Sequence, residues 1–323
     1  MSKMIIYAAG GAAINIASSM AKYTNSKEYG FSEIETYFID TSSSNIHNDI
    51  PEDKCYMVEG LDGSGKVRKS NYAVLSECSK EILHKFKPGD INIVLHSASG
   101  GTGSTLGPII VSELLSRGLN VIVLTVGSSS SRIETENTMK TLKSYEMIAR
   151  KTDKPVCMYY KENSVETPRS AVDSSISTAL VVLATLFSSD NKELDLSDLT
   201  NFLNYNSVTS YGAQLALLEL YEKDVVLDKG HTIISAATLI DNTSSPDLEH
   251  PIEYQCVGYL PEKIKDIINL DLPIHVTVMA GHFNKTVDRL NKLLSEYDEA
   301  RKVVVSKSII DNNDDSTSEG LIL

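Results

Sequence analysis

Residues 90–108 read DINIVLHSASGGTGSTLGP. The segment opens with the apolar run Ile91-Asn92-Ile93-Val94-Leu95, whose length and β-branching suit a buried strand. A glycine-rich turn follows, Ser97-Ala98-Ser99-Gly100-Gly101-Thr102-Gly103-Ser104-Thr105, and then an apolar-rich helical stretch over 106–115, with Pro108 tolerable in its first turn. Strand, glycine turn and helix together build an anion site. Glycines let the backbone approach a phosphate, and the free N–H groups of a helix start point at it. Ser99, Thr102, Ser104 and Thr105 add hydroxyl donors. A flexible Ser/Gly linker is disfavoured, because linkers are not flanked by a buried strand and an apolar helix.

On either side, strand and helix patterns alternate. Strands are predicted over 3–9, 34–39, 54–58, 120–126 and 155–159, and helices from the turn at Gly10 to about Tyr23, over 71–86 and over 133–150. Continuous apolar strands alternating with helices indicate an α/β fold with a parallel, doubly wound sheet, and ligands bind such sheets at the carboxyl ends of the strands. The pattern over 167–188 is apolar nearly all round and predicts a long, buried central helix. Beyond it, strands over 231–239, 254–259 and 274–279 and helices over 262–268 and 284–302 form a smaller α/β layer, with a last strand expected over 302–310. This divides the chain into 1–166, 167–190, 191–310 and an acidic, disordered-looking tail, 311–323, ending in Leu321-Ile322-Leu323.

Composition sets outer limits. A chain of 323 residues, 41% of them hydrophobic, buries a large core. No apolar run is long enough to cross a bilayer, and the N-terminus reads as a first strand and not as a leader. The four cysteines lie far apart without a CxxC, which fits a reducing cytoplasm. A net charge of −13 argues against general nucleic-acid binding, and admits an anionic nucleotide only where backbone dipoles and Mg²⁺ polarise the site locally.

Ser99-Gly100-Gly101-Thr102-Gly103-Ser104 resembles the GGGTGS phosphate loop of the tubulin/FtsZ superfamily, with Ser99 in place of one glycine. Gly10-Gly11-Ala12-Ala13-Ile14-Asn15 resembles the family's first nucleotide loop, GGAGxN, with Ala13 in place of a glycine. Length, divergence and acidic tail are most similar to the phage tubulins of the PhuZ type. The resemblance implies a GTPase that binds GTP/GDP with Mg²⁺ and polymerises with copies of itself, in the host cytoplasm if phage-encoded. It implies that Asn15 contacts guanine and that the loop bearing Gly63, Gly65 and Lys66 closes over the terminal phosphate. It places Arg132 and Glu136 at the ribose, and matches Asn163 and Asp173 to base contacts, Asp173 accepting from guanine's N1–H and N2–H₂. Asp40 falls at the end of the second strand, among the nucleotide contacts.

The same resemblance gives Glu193, Asp195 and Asp198 the part of the family's NxDxxD catalytic loop, Glu193 replacing the asparagine. In the family this loop acts on the nucleotide of the next subunit. Read locally, Asp195 is also a good helix N-cap. The acidic tail is expected to contact a neighbouring subunit. No metal ligand set is identified in the sequence.

Other patterns compete. Gly60-Leu61-Asp62-Gly63-Ser64-Gly65-Lys66-Val67 nearly matches GxxxxGK[ST], but Val67 replaces the required hydroxyl and no apolar helix opens after it. A Rossmann-type NAD(P)-dependent oxidoreductase, with Asp40 on a ribose, would need GxGxxG where this chain has GGAAIN.

Overall fold

The computed structural model describes residues 3–24, 33–61, 63, 65–68, 71–164, 166–188, 191, 193–223, 232–260, 262 and 270–305. The first half alternates β1 (Lys3–Ala9), α1 (Gly11–Thr24), β2 (Glu33–Asp40), β3 (Cys55–Met57), α2 (Tyr72–Lys85), β4 (Ile91–Ser97), α3 (Thr102–Ser116), β5 (Asn120–Ser128), α4 (Arg132–Thr152) and β6 (Val156–Asn163). After it come α5 (Arg169–Leu186), α6 (Leu196–Leu203), β7 (Leu215–Tyr221), β8 (Thr232–Ile240), β9 (Tyr254–Tyr259), β10 (Ile274–Ala280) and α7 (His282–Val305).

All ten strands join one sheet, in the order β3-β2-β1-β4-β5-β6-β7-β10-β8-β9. Every pairing from β3 to β7 is parallel, β10 runs antiparallel to both of its neighbours, and β8 pairs parallel with β9. Parallel strands covered on both faces must be apolar on both faces, which is why they read as unbroken apolar runs. Alternate side chains divide between two apolar layers. Met4, Ile6, Ile93 and Leu124 face α1 and α5, whereas Ile5, Tyr7, Val94 and Val123 face α2, α3 and α4. The central helix is buried along most of its length, from Val172 through Leu186.

Three elements differ from the sequence reading. Helix α3 begins at Thr102, four residues before the expected start, so Pro108 lies in its second turn. Proline has no N–H for the carbonyl four residues back, that of Ser104, and the Thr141 hydroxyl of α4 reaches that oxygen at 3.5 Å. Strand β7 was not anticipated. Its sequence, LALLELY, is made of helix formers without a β-branched residue, and pairing with β6 and β10 overrides that preference. Residues 302–305, expected to start a last strand, continue α7. Three consecutive valines suggest a strand, but extending an existing helix costs little per residue. Residues 263–268, 306–310 and the acidic tail lie outside the described residues.

Two histidines are buried in the sheet. His96 Nε2 lies 2.6 Å from the Tyr145 hydroxyl and 3.0 Å from Thr125 Oγ1, and His275 Nδ1 lies 2.9 Å from Thr238 Oγ1. Burial pushes both down to about 4, and for His96 the Arg68 charge adds to it. Because the folded pKa is depressed, the unfolded chain takes up protons that the folded chain refuses. Their stabilisation is therefore complete above about pH 6.5 and is lost as pH falls toward 4. Urea unfolding across pH 7.5 to 5 should show stability falling with acid, approaching roughly 1.4 kcal/mol per pH unit for each histidine well below pH 6.5. A flat profile would contradict this.

Candidate nucleotide site

The parallel strands β1, β2, β4, β5 and β6 all end at one edge, where a cleft of ≈ 450 Å³ opens. Its floor is a contact between two glycine turns. Gly10 has φ +85°, and a Cβ there would come within 3.2 Å of Gly103 N. A Cβ on Gly103 would sit 2.7 Å from the Ala9 carbonyl oxygen. Only hydrogen at both positions lets the β1–α1 and β4–α3 turns lie this close. The N-termini of α1 and α3 thereby converge on one volume. Helix α3 has Gly101 as its N-cap and no side-chain cap, a helix start of the kind that suits an anion. Helix α4 differs, since Ser131 caps it through the Glu134 N–H.

The structure brings most of the predicted residues together. Gly10, Gly11, Ala12 and Asn15 line the cleft from α1 and the turn before it, Ser99, Gly100, Gly101, Thr102 and Gly103 from the β4–α3 turn, and Asp40 from the end of β2. Gly63, Gly65 and Lys66 border it from the second glycine loop, and Asn163 and Asp173 from its far end. Three residues fall outside the lining. Ser104 is buried, and its hydroxyl donates to the Gly100 and Gly101 carbonyls at 2.5 and 3.2 Å, so it shapes the turn from beneath. Arg132 pairs with Asp298 and Glu136, and Glu136 also with Lys140, along the outer face of α4.

The side chains in the cleft are tightly held. Asp40 accepts the Thr41 N–H on one oxygen and the Asn45 amide on the other, both at 2.7 Å, and Asn45 packs where a Cβ on Gly11 would sit. Thr102 and Thr41 share a hydroxyl bond of 2.7 Å. His47 meets Asn15 Oδ1 at 2.7 Å. Lys66, with φ +63°, sends Nζ to Glu134 Oε1 at 2.6 Å, and Ser128 Oγ donates to Glu134 Oε2 at 3.1 Å. Burial raises the Glu134 carboxyl, but Lys66 and the two serine hydroxyls outweigh it and hold Glu134 below the usual carboxylate range. Asp173 is shifted the other way, upward by burial, with Arg169 opposing. Asn163 Oδ1 is buried with no partner among the described residues, an acceptor suited to an N–H donor of a ligand.

Sequence reasoning overlooked Ser42, Asn45, Ser97, Ser128, Glu134 and Arg169, all in the lining. Ser97 opens the glycine-rich turn without having been assigned a role, and Glu134 carried a signal as the fourth residue of the capping pattern Ser131-Arg132-Ile133-Glu134. Asn137 was overlooked as well. From α4 its amide donates to the carbonyls of Lys66, Ser99 and Gly100 at 2.8, 3.1 and 3.4 Å, so one side chain ties both glycine loops together.

The proposed catalytic trio lies elsewhere. Asp195 and Asp198 form a capping box at the start of α6, with Asp198 N donating to Asp195 Oδ1 at 2.9 Å and Asp195 N to Asp198 Oδ2 at 3.3 Å. Glu193 is exposed just before it. Helix α6 is fixed through Thr200 and Asn204 to Asn120, the first residue of β5, at the edge of the sheet opposite the cleft.

Residues 3–162 match the GTPase domain of the tubulin/FtsZ family. With that match on the nucleotide cleft just described, the chain belongs to the tubulin/FtsZ family of GTPases. Within the family its likeness is to phage proteins. It is 27% identical to a phage tubulin-like protein of Pseudomonas phage phiKZ, over 99% of this chain and 98% of that one. It superposes on a protofilament structure of TubZ from bacteriophage PhiKZ with a TM-score of 0.78 at 28% identity, covering 100% of both chains. The phage tubulin PhuZ bound to GDP shares the fold, with a TM-score of 0.84 at 20% identity and 99% of each chain covered.

Asn137→Asp keeps the volume of the side chain but has no N–H to give to the three carbonyls. It should lower stability by about 1–3 kcal/mol in urea unfolding and weaken guanine-nucleotide binding, since both loops lose their tie. Parental nucleotide affinity would show that the loops hold their places without it.

Proposed function

We propose that this chain binds GTP in the cleft, assembles head to tail into a filament, and hydrolyses GTP only where the acidic loop of one subunit meets the nucleotide of the next. The observation that carries this reading is the separation of the two halves of the site. Cleft and acidic loop lie at opposite ends of β5, whose nine residues span roughly 30 Å at about 3.3 Å each. Glu193, Asp195 and Asp198 therefore do not reach the cleft of their own subunit. A heterologous contact repeated head to tail brings one end against the other and yields an open filament, an arrangement in keeping with the solved TubZ protofilament. The phage origin of its relatives supports placing the assembling copies in the cytoplasm of the phage host, and the acidic tail is proposed to add a contact with the neighbouring subunit.

In this reading the N–H groups at the α1 and α3 starts and the Thr102 hydroxyl receive the phosphates, and Lys66 faces the terminal phosphate. Asn15, Asn163 and Asp173 read guanine; the unpartnered Oδ1 of Asn163 and the carboxylate of Asp173 suit the donors on its N1–H and N2–H₂ edge. Among the described residues no cluster of three metal-ligating side chains occurs. Mg²⁺ typically enters such sites on the phosphates with its own waters, and Asp40 and Glu134 are the cleft carboxylates that would hold it there and help neutralise phosphate charge. The neighbour's Asp195 and Asp198 orient and polarise water. Its oxygen bonds the γ-phosphorus, the bond to the β–γ bridging oxygen breaks, GDP leaves with the electron pair, and the proton the water gives up passes to the released phosphate or to solvent. The oxidoreductase alternative is not favoured, because residues 3–162 match a GTPase domain and not a dinucleotide-binding one.

Two measurements test this reading. Asp173→Asn replaces an all-acceptor group by a mixed donor and acceptor, so competition binding should show preference for GTP over ATP reduced by about ten- to a hundredfold. Unchanged discrimination would make Asp173 a structural charge. Asp195→Asn keeps an acceptor for the helix cap but removes the carboxylate. With GTP and Mg²⁺ it should bind nucleotide normally and form filaments visible by electron microscopy, while phosphate release falls about a hundredfold or more. Phosphate release at the parental rate would leave Asp195 as a cap alone.

A further inference from the structure

Helix α7 packs along α4, and from that position it reaches the two loops at the far end of the cleft. Arg289 Nη2 donates to Glu162 Oε2 at 2.5 Å, and the Tyr297 hydroxyl donates to the Ser129 carbonyl at 3.4 Å. Glu162 and Ser129 are each one residue from the cleft. In the register of β5 and β6, Gly127 stands opposite Glu162 and Ser128 opposite Asn163, and Ser128 and Asn163 both line the cleft.

Glu162 ties these pieces together. Besides Arg289, its carboxylate accepts Ser129 Oγ at 2.6 Å and the Tyr160 hydroxyl at 2.7 Å. Tyr160 reaches it across Gly127, where a Cβ would lie 2.1 Å from the phenolic oxygen. The Glu162 side chain is only 12% exposed. Burial raises its carboxyl, but Arg289 and the two hydroxyls prevail and hold it below the usual range, so it is charged at neutral pH. A carboxylate buried this far depends on its partners, and without Arg289 it must seek water or protonate, loosening the ends of β5 and β6.

We propose that Glu162 and Arg289 are positioning residues of the nucleotide site, which hold Ser128 and Asn163 from behind and couple the placement of α7 to nucleotide affinity. Neither side chain lines the cleft, so the effect acts through their neighbours. Such coupling is reciprocal: nucleotide steadies α7, and a contact that displaces α7 weakens nucleotide binding by the same factor. Helix α7 is the last described element and leads into the C-terminal segment, so a subunit engaging that segment would be felt at the base end of the cleft.

This inference rests on guanine nucleotide being the occupant, and the test separates the two claims. Full-length chain is kept at a concentration where light scattering detects no assembly, and GDP affinity and release rate are measured together with amide hydrogen exchange over 282–305. The parent should bind GDP and exchange more slowly in α7 when it does. Arg289→Ala should bind GDP about three- to thirtyfold more weakly, release it faster and lose the nucleotide-dependent protection of α7, and Arg289→Lys should restore most of the affinity. If Arg289→Ala does not fold, Tyr297→Phe, which removes one hydroxyl, should show the same changes at smaller size. Parental GDP affinity in a folded Arg289→Ala with a lower melting temperature would reduce the pair to a structural pin. GDP binding without any change in α7 exchange would refute the coupling. A parent that binds no GDP would overturn the nucleotide reading itself, and the inference with it.

Discussion

The contact between Gly10 and Gly103 is the constraint on which the site depends. Two parallel strands, β1 and β4, lie side by side because their apolar faces are covered by helices. Adjacent strands end in adjacent turns, and those turns meet without side chains between them. A methyl group at Gly103 would have to displace the Ala9 carbonyl, which belongs to β1, so the strain would spread into the sheet. The close approach aims two helix starts at one point. The N–H ends of the two helices make a positive pole in a protein whose net charge is −13, so the cleft suits an anion through backbone geometry and not through a basic surface.

Around that pole, α4 acts as a brace. Asn137 gathers carbonyls from both glycine loops, Glu134 holds Lys66, and Thr141 serves the carbonyl left open by Pro108. The proline inside α3 is thus accommodated by a neighbour and not by bending the phosphate turn. Buried polar groups of this kind stabilise when every member is satisfied, which helps explain why the face of α4 toward the cleft is buried yet polar, with Asn137, Thr138 and Thr141.

Much of this was legible in the sequence. Continuous apolar runs gave the parallel strands, and glycine turns between strand and helix marked the edge where the cleft opens. Asn15, more than a hundred residues from Asn163 and Asp173, was assigned to the same site as they were by family resemblance and not by local pattern. The unread parts share a cause. Strand β7 exists because β6 and β10 supply its partners, against the preference of its own residues. Lys66–Glu134, the three contacts of Asn137 and Arg289–Glu162 join positions from 37 to 127 residues apart, and spacing along a chain says nothing about such meetings. Arg132 and Glu136 illustrate the reverse: two residues and one helical turn decide whether a charge on α4 faces the cleft, as Glu134 does, or the C-terminal helix.

The strand order has a consequence for how the chain is made. In the finished sheet β10 lies between β7 and β8, although among the described strands it is the last to be synthesised. On the ribosome, β8 and β9 emerge as a parallel pair with no sheet to join, and β7 presents a bare edge beside β6. Some forty residues separate the end of β8 from the end of β10, an interval of roughly 2 to 8 s at common rates of translation. During it the nascent chain carries an open apolar edge, which in a crowded cell is a template for pairing with other copies. Lateral sticking between unfinished chains would then draw molecules away from completing the sheet. The place of one late strand in the sheet thus sets how long that edge stays open during synthesis.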